Sequence, residues 1–168
     1  MKKLIICAIC AFCGITTANA QGKFGHVNTQ EIIQAMPEYS KAEQEIKALQ
    51  SQYEEDLKSM QDELQKKSEA FDKEQATLPD NIKQRRQQEL QEMYQKIQQS
   101  YQDNNQALQK ASAEKMQAIT SKVLEAIKSV GQAGGYVLIN EINAGIPYIS
   151  TTLSTDVTAQ VKAKLGLK

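Results

Sequence analysis

Residues 26–130 contain no glycine, and Pro79 is the only proline between Pro37 and Val130. In a helix interior glycine costs about 1 kcal/mol and proline about 3 kcal/mol relative to alanine. Gln, Glu, Lys, Ala, Met and Leu, which fill the stretch, lose little side-chain freedom in a helix. Long helix is therefore the conformation these residues allow. A single straight helix would have to pass through Pro79, which lacks an N–H and clashes with the preceding turn. The chain instead predicts two long helices folded back at that point, a form suited to holding or connecting something rather than to catalysis.

The apolar spacing supports the fold-back. From Glu38 to Leu78, apolar residues fall at Ile46, Leu49, Tyr53, Leu57, Met60, Leu64, Phe71 and Leu78, mostly at steps of three, four or seven. This is the seam of a coiled coil, with a stutter at Leu49, Tyr53 and Leu57. The second arm repeats it at Ile82, Leu90, Met93, Ile97, Tyr101, Leu108, Ala111, Ile119, Val123, Ile127 and Val130. Folding at Pro79 sets Leu64 opposite Met93 and Tyr94, Met60 opposite Ile97, Leu57 opposite Tyr101, and Leu49 opposite Leu108. Each arm would be about 60 Å long at 1.5 Å per residue.

The N-terminus follows another logic. Lys2 and Lys3 precede an apolar run, Leu4–Ile15, and small or polar residues ending in Ala18-Asn19-Ala20. Residues 1–20 read as a secretory signal peptide cleaved after Ala20. The run is well short of the roughly twenty apolar residues of a membrane-spanning helix. Cys7, Cys10 and Cys13 all lie within it, so the mature chain has no thiol for disulfide or thiolate chemistry. Loss of Lys2 and Lys3 leaves 18 of the 20 basic residues against 20 acidic ones, a formal charge of −2. That balance lacks the basic excess of a nucleic-acid binder.

The remaining segments predict a small body. Lys23–Asn28 reads as a strand, followed by a short helix capped by Asn28 or Thr29 that buries Ile32, Ile33 and Met36 until Pro37. Gly131, Gly134 and Gly135 are expected to end the second arm and introduce a strand at Tyr136–Asn140. Asn143–Gly145 reads as a turn and Ile146–Ser150 as a second, edge strand containing Pro147. Ser154 or Thr155 then caps a final helix with Val157, Val161 and Leu165 on one face. The hairpin returns the chain to its start, so these strands can share one sheet. The expected fold class is α+β, a long antiparallel coiled-coil hairpin projecting from a small β-sheet body. The expected units are residues 21–38 of the body, an arm over residues 39–118 with its tip near Pro79, and residues 119–168 completing the body.

Short strands with uncovered edges favour association. The oligomerisation core is expected at Val27, Val137, Leu138, Ile139, Ile146 and Tyr148. No catalytic, cofactor or metal residues are assigned. His26 is the sole histidine and reads as a packed or capping side chain. Glu54-Glu55-Asp56 lies on a solvated helix face, where nothing raises a carboxyl pKa for acid catalysis. The glycines follow a helix and precede a strand, the reverse of a phosphate-binding loop. Near the tip the seam is sparse. Phe71, Leu78 and Ile82, with Met93 and Tyr94 further along, are candidate contacts for a bound partner, and ordinary closure of the tip is the simpler reading of the first three.

Taken together, the opening strand and helix Gly25–Ile33, the glycine-free hairpin, Tyr136-Val137-Leu138-Ile139 and the closing segment Ser154–Val161 resemble the Skp/OmpH family of periplasmic chaperones. The resemblance runs the length of the chain. It implies a periplasmic homotrimer whose strands form a shared β-barrel and whose hairpins surround a cavity for unfolded outer-membrane proteins, without ATP. Basic arm ends in that family suit lipid or lipopolysaccharide. Here Lys66, Lys67, Lys73, Lys83, Arg85 and Arg86 stand against Glu69, Asp72, Glu74 and Asp80, so the resemblance leaves membrane contact open. A structural or adaptor coiled coil of the envelope is the alternative.

Overall fold

The computed structural model describes residues 22–142 and 145–167. Their order is β1 (Lys23–Val27), α1 (Thr29–Ala35), α2 (Pro37–Glu74), α3 (Asp80–Gly134), β2 (Tyr136–Glu141), β3 (Ser154–Asp156) and α4 (Thr158–Lys164). The leader and its cleavage site lie outside these residues, as do two residues of the expected turn, 143 and 144. Asn28 caps α1, its Oδ1 accepting from the Glu31 N–H at 3.0 Å. Met36 breaks the helix in an extended conformation, and Pro37 opens α2 at the first-turn position that does not need its missing N–H.

The hairpin forms as the glycine and proline pattern requires. α2 and α3 are joined by residues 75–79. α3 runs through Gly131 and ends only at Gly135, whose left-handed φ of 65° closes the C-terminus. Gly131 is thus an interior residue of α3, and its lack of a side chain has another use. A Cβ there would stand 3.2 Å from Ile139 Cδ1, so the glycine lets β2 lie close against the helix.

The three strands form one sheet in the order β2-β1-β3, with both pairs parallel. Parallel neighbours need a long crossover, and the entire α1–α3 hairpin supplies it between β1 and β2. A register shift between Lys23 and Phe24 skips Val137, so Phe24 pairs with Leu138 and Gly25 with Ile139. Alternation along β1 then turns Val27 inward and Phe24 outward. The core lies between the sheet, the root of the hairpin and the two short helices. It contains Val27, Ile32, Met36, Ala42, Ile119, Val123, Ala126, Val130, Val157 and Val161.

Two expectations fail at the C-terminal end. Residues 146–150 are not a strand, and the third strand is Ser154–Asp156, the segment read as a helix cap. Ser150 instead anchors a turn: its carbonyl accepts from the Ser154 N–H at 3.1 Å and its hydroxyl from the Leu153 N–H at 3.2 Å. That turn delivers Ser154–Asp156 to the free edge of β1, where Ser154 Oγ meets His26 Nδ1 at 2.8 Å and the Val157 N–H donates to the His26 carbonyl at 2.9 Å. α4 consequently starts at Thr158. Asp156 Oδ1 accepts its N–H at 2.8 Å, and neither Ser154 nor Thr155 caps it.

Candidate interaction surfaces

Two surfaces stand out, one on the body and one along the arms. On the body, one end of the outward side of the sheet carries exposed apolar side chains. Phe24 and Leu138 are register partners and both are exposed, and Val137 in the bulge beside them is 69% exposed. Ile142, Tyr148 and Leu153 on the connection from β2 to β3 are exposed as well, Tyr148 at 79%. A small body that leaves so many large apolar side chains in water is more exposed than packing within one chain requires.

The residues expected to form an oligomerisation core divide by depth. Val27 is 1% exposed and belongs to the chain's own interior, and Ile139 packs against that interior. Ile146 is half-buried, while Val137, Leu138 and Tyr148 face solvent. Phe24, Ile142 and Leu153 share the exposure and were not singled out from sequence. The alternation of Phe24 along β1 was the available signal, but the side it faces depends on where α3 lies.

His26 occupies the outward side of β1 with Ser154 and Asp156 on the adjacent strand. Burial works against ionisation of the Asp156 carboxyl, yet its hydrogen bonds from Thr158, with His26 nearby, hold it below the usual aspartate value. The group is a structural clasp between β1, β3 and α4. Among the described residues, no three His, Cys, Asp or Glu side chains gather as a metal site.

Along the arms the seam is thin. Ile46, Leu49, Leu57, Met60, Leu64, Leu90, Met93 and Ile97 are only half-buried, because two helices can cover each other on one side alone. Tyr101, read as a seam position, is 60% exposed, and Tyr94 is 55% exposed. Phe71 is buried where the tip closes, with Leu78 and Ile82 half-buried around it.

Ion pairs hold the arms at root and tip. Glu38 meets Lys122 at 2.9 Å, and Glu45 meets Lys115; towards the tip Lys67 meets Glu89, and Glu74 meets Arg86 at 2.8 Å. Two of the basic tip residues are therefore already engaged within the hairpin. Hydrogen bonds from Lys122, Lys115 and Lys67 lower the pKa values of Glu38, Glu45 and Glu89 respectively. Since the folded values lie below the unfolded ones, this stabilisation is complete above the ordinary carboxylate range and is lost as pH falls through the lowered values. The pairs are solvent-exposed, so the effect is small and screened by salt. Arm amides should exchange faster, relative to their intrinsic rates, at about pH 3 than at about pH 6. Amides of β2 around Ile139, which contact none of these lowered carboxylates, should change less; equal change in both regions would contradict this account.

A slender helical hairpin rooted in a small α+β body, with large apolar side chains exposed on both, defines the fold class of this chain. The chain belongs to the OmpH-like outer membrane protein family, which it matches over residues 23–165. Its fold is similar to the crystal structure of an OmpH-like protein of Caulobacter crescentus CB15, itself provisionally assigned as an outer membrane chaperone. The TM-score is 0.74, with 14% identity over 86% of this chain and 83% of the other. No curated protein matches this chain in sequence.

Proposed function

We propose that the protein is an ATP-independent periplasmic holdase that keeps unfolded outer-membrane proteins from aggregating. The observation that carries this reading is the pairing of a thin, largely polar hairpin with an exposed apolar patch, Phe24, Val137 and Leu138, at one end of the body's sheet. The sheet face supports self-association, with three copies closing a common barrel through Phe24, Val137 and Leu138. The arms would then surround a cavity and hold a client by many weak contacts, so that avidity replaces a unique bound pose. Residues 39–118 act as the arm and the two flanking segments as the body. The leader directs export and is removed after Ala20.

The test compares wild-type protein with several unrelated denatured β-barrel proteins. A holdase keeps them soluble at near one oligomer per client, without added nucleotide or metal. An adaptor leaves them to aggregate and retains one folded partner, which would overturn this reading.

A further inference from the structure

The four ion pairs between the arms leave a gap. From Ile46 to Leu64 on α2, no ion pair crosses to α3 among the described residues. In this middle stretch an open groove of about 490 Å³ runs between the helices, with Leu57, Gln61, Tyr94, Ile97, Gln98 and Tyr101 along it. None of its lining residues is charged. The groove at the root, by contrast, contains Glu43, Lys47 and Lys115, and the one at the tip contains Lys67, Arg85, Arg86 and Glu89.

Tyr94 and Tyr101 are both more than half exposed and lie one heptad apart. One exposed tyrosine needs no explanation. Two on the rim of the same uncharged groove form a surface with a definite preference. We propose that this groove is a docking patch for extended, uncharged segments of a non-native polypeptide carrying aromatic or apolar side chains. The proposal deepens the holdase reading and rests on it.

Three features select that occupant. A heptad spans about 10.5 Å of helix axis, close to the roughly 9 Å covered by three residues of polyproline II, a major extended conformer of unfolded chains with three residues per turn. Side chains three apart on such a segment share one face and can therefore each meet a tyrosine. A charged segment would lose hydration here without gaining an opposite charge. Gln61 and Gln98 carry both donors and acceptors, which suit the unpaired N–H and C=O groups of an unfolded backbone. Tyrosine itself combines a large apolar ring with a polar tip.

The chain has no tryptophan, so Tyr94→Trp introduces a single reporter into the full-length mature protein. The probe is a blocked peptide with phenylalanine at every third position and serine or threonine between; its control has lysine and glutamate in place of phenylalanine. The neutral peptide should shift the emission saturably and bind at least about 5-fold more tightly than the control. By calorimetry, Tyr94→Ser combined with Tyr101→Ser should weaken binding of the neutral peptide about 10-fold, and each single change about 2- to 4-fold. Equal binding of the two peptides, or unchanged binding by the double variant, would overturn the proposal. So would a double variant with reduced oligomer mass, which would make the groove a contact between copies. If wild-type protein binds the neutral peptide with this selectivity but fails to protect denatured β-barrel proteins, the holdase reading falls while the groove stands.

Discussion

Removing residues 58–100 and joining the cut ends with a short turn is expected to leave the body folded and associated while protection of denatured clients falls about 10-fold or more. The cut joins positions that already face each other, since Leu57 and Tyr101 line the same groove. The root pairs Glu38–Lys122 and Glu45–Lys115 remain, as do all core residues, the outermost of which on the arms are Ala42 and Ile119. What disappears is reach: the enclosed volume and the number of weak contacts shrink together. Single substitutions such as Phe71→Ala or Met93→Ala should alter protection only modestly, with Phe71→Ala also loosening the tip it closes. Light scattering of diluted, denatured β-barrel proteins measures protection, and solution mass measures assembly. Undiminished protection by the shortened protein would move the client site to the body. Complete loss of protection from one arm substitution, with fold and assembly intact, would reveal a discrete hot spot and favour the adaptor reading.

The body allows a sharper contrast between two aspartate substitutions. Val161→Asp places a carboxylate where the side chain is wholly buried and has no polar partner, at a cost of several kcal/mol. It should unfold the body, seen as lost helix signal and a greatly lowered melting temperature. Leu138→Asp acts on a side chain that one chain leaves half in water. It should spare the fold of the chain yet shift the assembly to single chains, because three copies would bring like charges onto the apolar face. If Leu138→Asp keeps the native solution mass, that face is not the assembly surface. If it unfolds the chain as thoroughly as Val161→Asp, chain folding and assembly cannot be separated by this substitution.

Most of the architecture was legible before any coordinates. The absence of glycine over residues 26–130, the lone break at Pro79 and the matched apolar spacing left a helical hairpin as the consistent solution, because each is a local constraint that acts on every turn of helix. A cap for α1 at Asn28 or Thr29, of which the fold uses Asn28, and a strand at Tyr136–Asn140 depend equally on neighbours a few residues away. The C-terminal strand was misplaced for the opposite reason. Ile146–Ser150 has the stronger strand composition, but the edge of β1 is reached by Ser154–Asp156 after the Ser150 turn, and His26 on a distant segment holds it there. Pairing energy across the sheet overrode local preference.

The interaction surfaces divide in the same way. Sequence alone determined that Val137 and Leu138 belong to a strand of the body and that Tyr94 and Tyr101 belong to an arm, since period and composition assign a residue to its element. Only the tertiary structure decided that Val27 faces the interior while Leu138 faces water, that Gly131 is a seat for Ile139 within an unbroken helix, and that the tyrosines flank an uncharged groove instead of filling the seam. The side a residue presents depends on the packing angle of α3 and on a one-residue bulge at Val137, both set by contacts between segments separated by the whole hairpin, which no local pattern encodes.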